Sequence, residues 1–268
     1  MRINQALPRL FERAYPAIDP NTPMISVLPL LRFHEIDALP LSFDSAKKQR
    51  GIFGYTSLAR ILSLGPKRFP AFLSQPCEDV SEPLATVRAD QQLSKLLDEF
   101  QRTRFGFARV TEKKRIGGLV SLDDVLRLYE SGIVSCELNI EGVSSKVFWT
   151  QPSSTVREVL EQMFERRIRR VFVGRRREFV WDRSIVEYLF SPAVLAKVAR
   201  EPSKDVLDIP VSGIEPTEAI KADPDETLKE AAARLTSERG QCLVFDGRVV
   251  TPWDIVMKPW ETKKLKIK

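Results

Sequence analysis

Gly118-Leu-Val-Ser-Leu-Asp-Asp-Val-Leu126 is the stretch on which the fold turns. It reads as a short apolar strand, a hydroxyl, two spacers and an Asp that opens an amphipathic helix. The same pattern returns as Arg248-Val-Val-Thr-Pro-Trp-Asp-Ile-Val256. A hydroxyl at a strand end and a carboxylate in the first helical turn can face one small volume. Free amides at that helix start favour anions, and the carboxylate can accept hydrogen bonds from a sugar diol. Such a junction suits a nucleotide, with ribose on the Asp and phosphate on the hydroxyl and amides.

Working outward, four helices carry an apolar stripe at i, i+3, i+4, i+7, which marks one buried helical face. They are Met24/Val27/Leu28/Leu31, Leu93/Leu96/Leu97/Phe100, Val156/Val159/Leu160/Met163 and Leu228/Ala231/Ala232/Leu235. Pro with Asp, Ser or Thr ahead of three of them is a helix-start signal. Each helix is followed by a β-like run, a turn, a second strand and a strand-to-helix junction. Asp246-Gly247 and Gly174-Arg175 read as hairpin turns. The period is about 65 residues, which predicts repeats at 1–68, 69–133, 134–201 and 202–268. In repeat one the junction is Phe53-Gly-Tyr-Thr-Ser-Leu-Ala-Arg-Ile-Leu62, with Ser57 at the hydroxyl position and Arg60 at the Asp position. In repeat three those positions are Trp181 and Ser184.

These motifs resemble a protein of four tandem cystathionine β-synthase (CBS) domains, arranged as two Bateman modules. Gly118-Leu-Val-Ser-Leu-Asp-Asp-Val-Leu matches the family motif fully, while repeat four has Arg248 at the glycine position. The resemblance implies an α/β fold of four βαββα repeats paired pseudo-symmetrically, one with two and three with four. It also implies adenosine-containing ligands (AMP, ADP or ATP) in clefts between paired domains. By position the ligand contacts fall on Ser121 and Asp124, and on Thr251 and Asp254. The plain structural alternative is that these four residues only end a strand and cap a helix. Arg60 has donors only and cannot accept a ribose hydroxyl, but it could hold a phosphate. Trp181 is expected to fill its pocket.

Composition narrows the function classes. Of 268 residues, 43% are hydrophobic and 29% charged, which describes a globular chain with ample core material. No run approaches the roughly 20 apolar residues of a membrane span, and the first residues lack the apolar core of an export signal. Cys77, Cys136 and Cys242 have neither disulfide nor zinc spacing, fit a reducing cytoplasm, and are expected to be buried thiols. The single histidine, His34, lies in a helical context that points to packing or the surface. With no glycine-rich phosphate loop, metal cluster or histidine dyad, an enzyme is the weakest reading, and no catalytic cofactor or metal is expected.

The expected role is therefore a ligand-sensing regulator that signals to a separate protein effector, with a homodimer formed through exposed helical faces. The alternative is a nucleic-acid-binding protein, possible through Arg166-Arg-Ile-Arg-Arg-Val-Phe-Val-Gly-Arg-Arg-Arg177. There Arg175, Arg176 and Arg177 are candidate phosphate or polyanion contacts. The plainer reading of that cluster is a solvated helix end and turn, with some arginines paired to Glu161, Glu165 or Glu178. The lysine-rich tail 258–268 is expected to be partly frayed.

Overall fold

The computed structural model describes residues 1–8, 17–34, 36–42, 50–65, 68–112, 115–174, 177–238 and 242–268. Within them the α/β architecture of four CBS-type repeats is observed. Each repeat has a first helix: Met24–Phe33, Leu93–Thr103, Val156–Arg166 and Leu228–Ser237. All sixteen residues of the predicted stripes are at most 4% exposed. Each fully buried aliphatic side chain contributes about 1.5–3 kcal/mol, so these stripes supply much of the core.

An antiparallel hairpin follows each first helix. The pairs are Ala38–Pro40 with Arg50–Phe53, Phe107–Glu112 with Arg115–Ser121, Arg170–Val173 with Glu178–Trp181, and Leu243–Phe245 with Arg248–Val250. Asp246 and Gly247 turn the last hairpin with φ of 42° and 72°, as a type I′ turn requires. A lead strand joins each first hairpin strand in parallel in three repeats: Ala85–Arg88, Trp149–Thr150 and Ile220–Lys221. In repeat one a single parallel bridge, Ile18 to Leu41, takes that place. The second helices are Gly54–Leu64, Leu122–Glu130, Asp182–Leu189 and Pro252–Glu261.

Counted from the lead strands at Ala85, Trp149 and Ile220 rather than from the expected bounds at 69, 134 and 202, the segment ahead of each repeat serves its neighbour. Glu82–Pro83, ahead of repeat two, extends the sheet of repeat one through Arg50 and Gly51. Ser145–Lys146, ahead of repeat three, pairs with Arg248 and Val249 of repeat four. Thr217–Glu218, ahead of repeat four, pairs with Glu178 and Phe179 of repeat three. The N-terminus joins repeat two, where the Ile3 amide donates to Gln91 O at 2.9 Å.

The chain also divides into two compact units that interleave the repeats. The even unit holds the described residues of 1–15, 84–147 and 219–268, and the odd unit those of 16–83 and 148–218. In the even unit Leu93, Leu97, Val125 and Leu126 of repeat two share one core with Leu228, Ala232, Ile255 and Val256 of repeat four. The Tyr129 hydroxyl crosses that core to donate to Ile255 O at 2.9 Å. In the odd unit Val27, Leu28 and Leu58 share a core with Leu160, Ile185 and Val186. The helical faces on which a homodimer was expected are thus used inside each unit.

Two expectations need correction. The tail is ordered rather than frayed: Lys266–Ile267 pairs antiparallel with Val134–Ser135, and Leu265 is buried. Cys136 is only half-buried, whereas Cys77 and Cys242 are buried and all three are free. His34 is half-buried, edge-on to the exposed ring of Phe33 at 5.0 Å. Among the described residues no helix is long and apolar enough to cross a membrane.

Candidate functional site

In repeat two, the strand Arg115–Ser121 hands over directly to the helix Leu122–Glu130. The Ser121 amide donates to Asp124 Oδ2 at 2.9 Å and its hydroxyl to the same oxygen at 3.2 Å. Arg127, one turn on, donates from Nη1 to Asp124 Oδ1 at 3.0 Å. Asp124 is 4% exposed. A carboxylate here satisfies an orphan helix-start donor and favours the positive helix end. The predicted pair therefore exists as a pair, and a ribose diol would meet a carboxylate that also caps the helix.

Repeat four repeats the geometry with one addition. Thr251 donates to Asp254 Oδ2 from its amide at 2.9 Å and from its hydroxyl at 2.7 Å. Oδ1 accepts from the Ser145 hydroxyl at 3.1 Å and faces the Lys258 ammonium at 2.9 Å. Lys258 further donates to Ser144 O at 3.0 Å and to Ser145 Oγ at 2.8 Å. A carboxylate has about four lone-pair sites, and all four are in use at Asp254. The exchanged segment around Ser145 is thereby tied to the site.

The odd unit departs from this pattern, and in repeat one the expected register was wrong. Hairpin pairing sets Ser121 opposite Phe107, Phe53 opposite Ala38 and Trp181 opposite Arg170. The hydroxyl position of repeat one is thus Phe53 and the Asp position Thr56. Ser57 and Arg60 lie four residues too far along, because the helix already begins at Gly54. The Ser57 hydroxyl donates back to Phe53 O at 2.8 Å, and Arg60 is exposed in the second helical turn. In repeat three Trp181 and Ser184 fall as expected. Ser184 Oγ accepts from the Trp181 amide at 3.0 Å. The Trp181 indole is 8% exposed, with the guanidinium groups of Arg170 and Arg183 5.3 and 4.8 Å from its ring centre.

An ionic cluster that the sequence reading missed joins repeats one and three. Arg169 donates from Nη1 to Asp37 Oδ2 at 3.1 Å, and from Nε and Nη2 to Asp182 Oδ2 at 3.0 and 2.6 Å. Arg183 Nη2 reaches Asp37 Oδ1 at 3.3 Å. Burial opposes ionisation of Asp37, but Arg169 and Arg183 outweigh it and hold the carboxyl well below the usual carboxylate range. Burial likewise opposes the charge on Arg169, and Asp182 and Asp37 outweigh it, so its pKa is raised. The cavity beside Asp37, Asp182 and Arg183 is about 20 Å³, room for one water and none for a nucleotide.

The arginine-rich stretch is consequently not one surface. Arg166 stacks 4.8 Å from the Phe148 ring centre, Arg169 and Arg170 are engaged as above, and Arg177 donates to Glu218 at 3.0 Å. The carboxylates found opposite these arginines, Asp37, Asp182 and Glu218, were not foreseen. Arg175 and Arg176 lie outside the described residues. Arg127 and Lys258 were legible in principle, since they follow their aspartates at i+3 and i+4.

The CBS domain family model matches residues 77–131. This segment is a CBS domain. No curated protein matches the sequence. Among solved structures, protein MJ1225 from Methanocaldococcus jannaschii, a proposed archaeal homolog of g-AMPK, is similar at a TM-score of 0.80 and 16% identity. The likeness covers 95% of this chain and 98% of that one. An uncharacterized conserved protein from Pyrococcus horikoshii is similar at a TM-score of 0.50 and 14% identity, over 84% and 91% of the two chains. The fold of the whole chain is that of multi-CBS proteins.

Proposed function

We propose that the protein is a regulatory sensor that binds an adenosine nucleotide (AMP, ADP or ATP) on its even unit and signals to a separate protein effector. The ribose diol would sit on Asp124 or Asp254, with the phosphate near the hydroxyl of Ser121 or Thr251 and the helix-start amides. The observation that carries this reading is the contrast in chemistry at the four strand-to-helix junctions. Only Ser121/Asp124 and Thr251/Asp254 pair a hydroxyl with a carboxylate, whereas Phe53/Thr56 and Trp181/Ser184 offer no acid.

Asp124 is proposed as the tighter site, because a ligand at Asp254 must displace Ser145 or Lys258. The role is binding without chemistry. A cytoplasmic location fits the three free cysteines. A homodimer would have to use surfaces other than the helical faces already buried in each unit. The nucleic-acid alternative has less to stand on, since Arg169, Arg170 and Arg177 are engaged within the odd unit.

Calorimetry with AMP and 2′-deoxy-AMP tests the reading. A hydrogen bond to a charged group contributes roughly 1.5–3 kcal/mol, so loss of one hydroxyl should weaken binding about ten- to a hundredfold. Asp124→Asn should weaken AMP binding by a similar factor. Equal affinity for both ligands, unchanged in the mutant, would remove the aspartate from the site.

A further inference from the structure

Arg109 lies mid-strand in Phe107–Glu112, between Thr86 on one neighbouring strand and Leu119 on the other. Side chains alternate across a strand. Ala108 and Val110 face the helical core of the even unit, so Arg109 faces the other side of the sheet, with Thr86 and Leu119. Ser121 shares that face, because it stands opposite Phe107, two residues from Arg109. Two residues of strand span about 6.6 Å. The Arg109 side chain can therefore serve the same volume as the Ser121 hydroxyl.

The residue is 7% exposed, yet it has no hydrogen bond or ion pair from its guanidinium among the described residues, and its Nε is fully buried without a partner. The contrast with Arg169 is direct. There two carboxylates outweigh burial and raise the pKa, whereas at Arg109 burial alone acts and lowers it. A guanidinium carries five donors and remains charged in proteins. Buried and unpaired, such a cation is costly, and an apolar side chain would suit a strand centre better. No described residue satisfies it, and an anion from outside the chain would. A planar fork of N–H donors matches a tetrahedral oxyanion in bidentate fashion, and the exposed Thr86 hydroxyl lies alongside.

We propose that Arg109 is an oxyanion-binding residue whose ligand is a phosphate group. That phosphate belongs either to a nucleotide held at Asp124 or to inorganic phosphate, and only the first source rests on the function proposed above.

The test uses the full chain in phosphate-free buffer, with Arg109→Met and Arg109→Lys beside wild type. Thermal shifts and calorimetry are run with inorganic phosphate, AMP and adenosine, using potassium chloride at matched ionic strength as control. Without ligand, Arg109→Met should melt at or above the wild-type temperature, because an unpaired buried charge has been removed. Wild type should be stabilised by phosphate or AMP beyond the chloride control, and Arg109→Met should lose that response. If the source is a nucleotide, AMP should bind wild type at least tenfold tighter than adenosine, and Arg109→Met should erase the difference. If it is free phosphate, phosphate alone should give the full shift, and AMP should exceed it only through its own phosphate. Arg109→Lys keeps the charge without the fork and should bind in between, which holds the test open if the Met variant folds poorly.

Phosphate binding through Arg109 with no preference for AMP would sustain this proposal and sink the nucleotide reading. AMP binding that is identical in wild type and both variants would do the reverse. A wild type that responds to neither phosphate nor AMP would overturn the proposal.

Discussion

The even and odd units use one backbone frame for different ends. At the even junctions a carboxylate stands at the third helical residue, Asp124 or Asp254, with its cation on the same helix. At the odd junctions that position holds Thr56 or Ser184, and the carboxylate of repeat three has moved to the first helical residue, Asp182. Its cation, Arg169, also reaches Asp37 of repeat one. Asp37 and Arg169 are equivalent residues, each just before the first hairpin strand. In repeat two that residue is Gly106, where an added Cβ would lie 2.2 Å from Leu122 Cδ1. Asp37 and Asp182 thus join the repeats of the odd unit through Arg169, while Asp124 and Asp254 of the even unit find their cations on their own helices.

The sharpest way to break this comparison is Asp182→Ala. The Asp182 side chain is 3% exposed, and its loss strips Arg169 of the oxygen that accepts two of its hydrogen bonds. Breaking a buried pair costs about 3–5 kcal/mol. Since Arg169 is 37% exposed and can recover some hydration, the low end, about 3 kcal/mol, is expected in urea unfolding at pH 7. The matching even-unit change, Asp254→Ala, frees Lys258, which is 32% exposed and keeps Ser144 and Ser145 as partners, so it should cost less, about 2 kcal/mol. Equal losses would mean that the carboxylates of both units are structural in the same sense.

Asp37 sharpens the contrast through pH. Its folded pKa is depressed, so its stabilising contribution is complete above the unfolded carboxylate value of about 3.9. That contribution fades as pH falls from there toward the folded value. Asp37→Asn should therefore be less stable than wild type at pH 6, by about 1 kcal/mol because the side chain is 40% exposed. The two unfolding curves should converge below pH 3. A constant gap across that range would show that the charge on Asp37 is not what stabilises the joint.

These differences also show what was legible in the chain. Helical stripes and hydroxyl–Asp spacing are local patterns, and both led to the right elements, down to the Ser121/Asp124 and Thr251/Asp254 pairs. A stripe says that a face is buried but not against what, so the sharing of cores by alternate repeats could not be read from it. Register in repeat one failed because the hydroxyl position holds Phe53, so Ser57, four residues on, stood in for it, and only hairpin pairing shows that the helix has already begun. The Arg169–Asp37 contact spans 132 residues, and nothing local marks it. The tail misled because its lysines hid the alternation of Leu265 and Ile267, of which Leu265 is buried.

The smallest effect on stability, and the finest test of the even unit, belongs to Lys258→Met. The Lys258 side chain is 32% exposed and pairs with Asp254 one turn before it. Met keeps much of the aliphatic stem, and a part-exposed i, i+4 pair contributes only about 0.3–0.5 kcal/mol. Loss of the bonds from Lys258 to Ser144 and Ser145 adds to this, so the total cost should stay near 1 kcal/mol. Ligand binding should move the other way. With the ammonium gone, Asp254 Oδ1 keeps only the Ser145 hydroxyl and has a lone pair open to a ribose diol. AMP affinity at the second site should rise severalfold, with the first site at Asp124 nearly unchanged. Calorimetry that shows weaker binding instead would make Lys258 a ligand contact, most simply to phosphate. Unchanged binding at both sites would mean that Asp254 is a helix cap and nothing more, leaving Asp124 as the one carboxylate at which the nucleotide reading can hold.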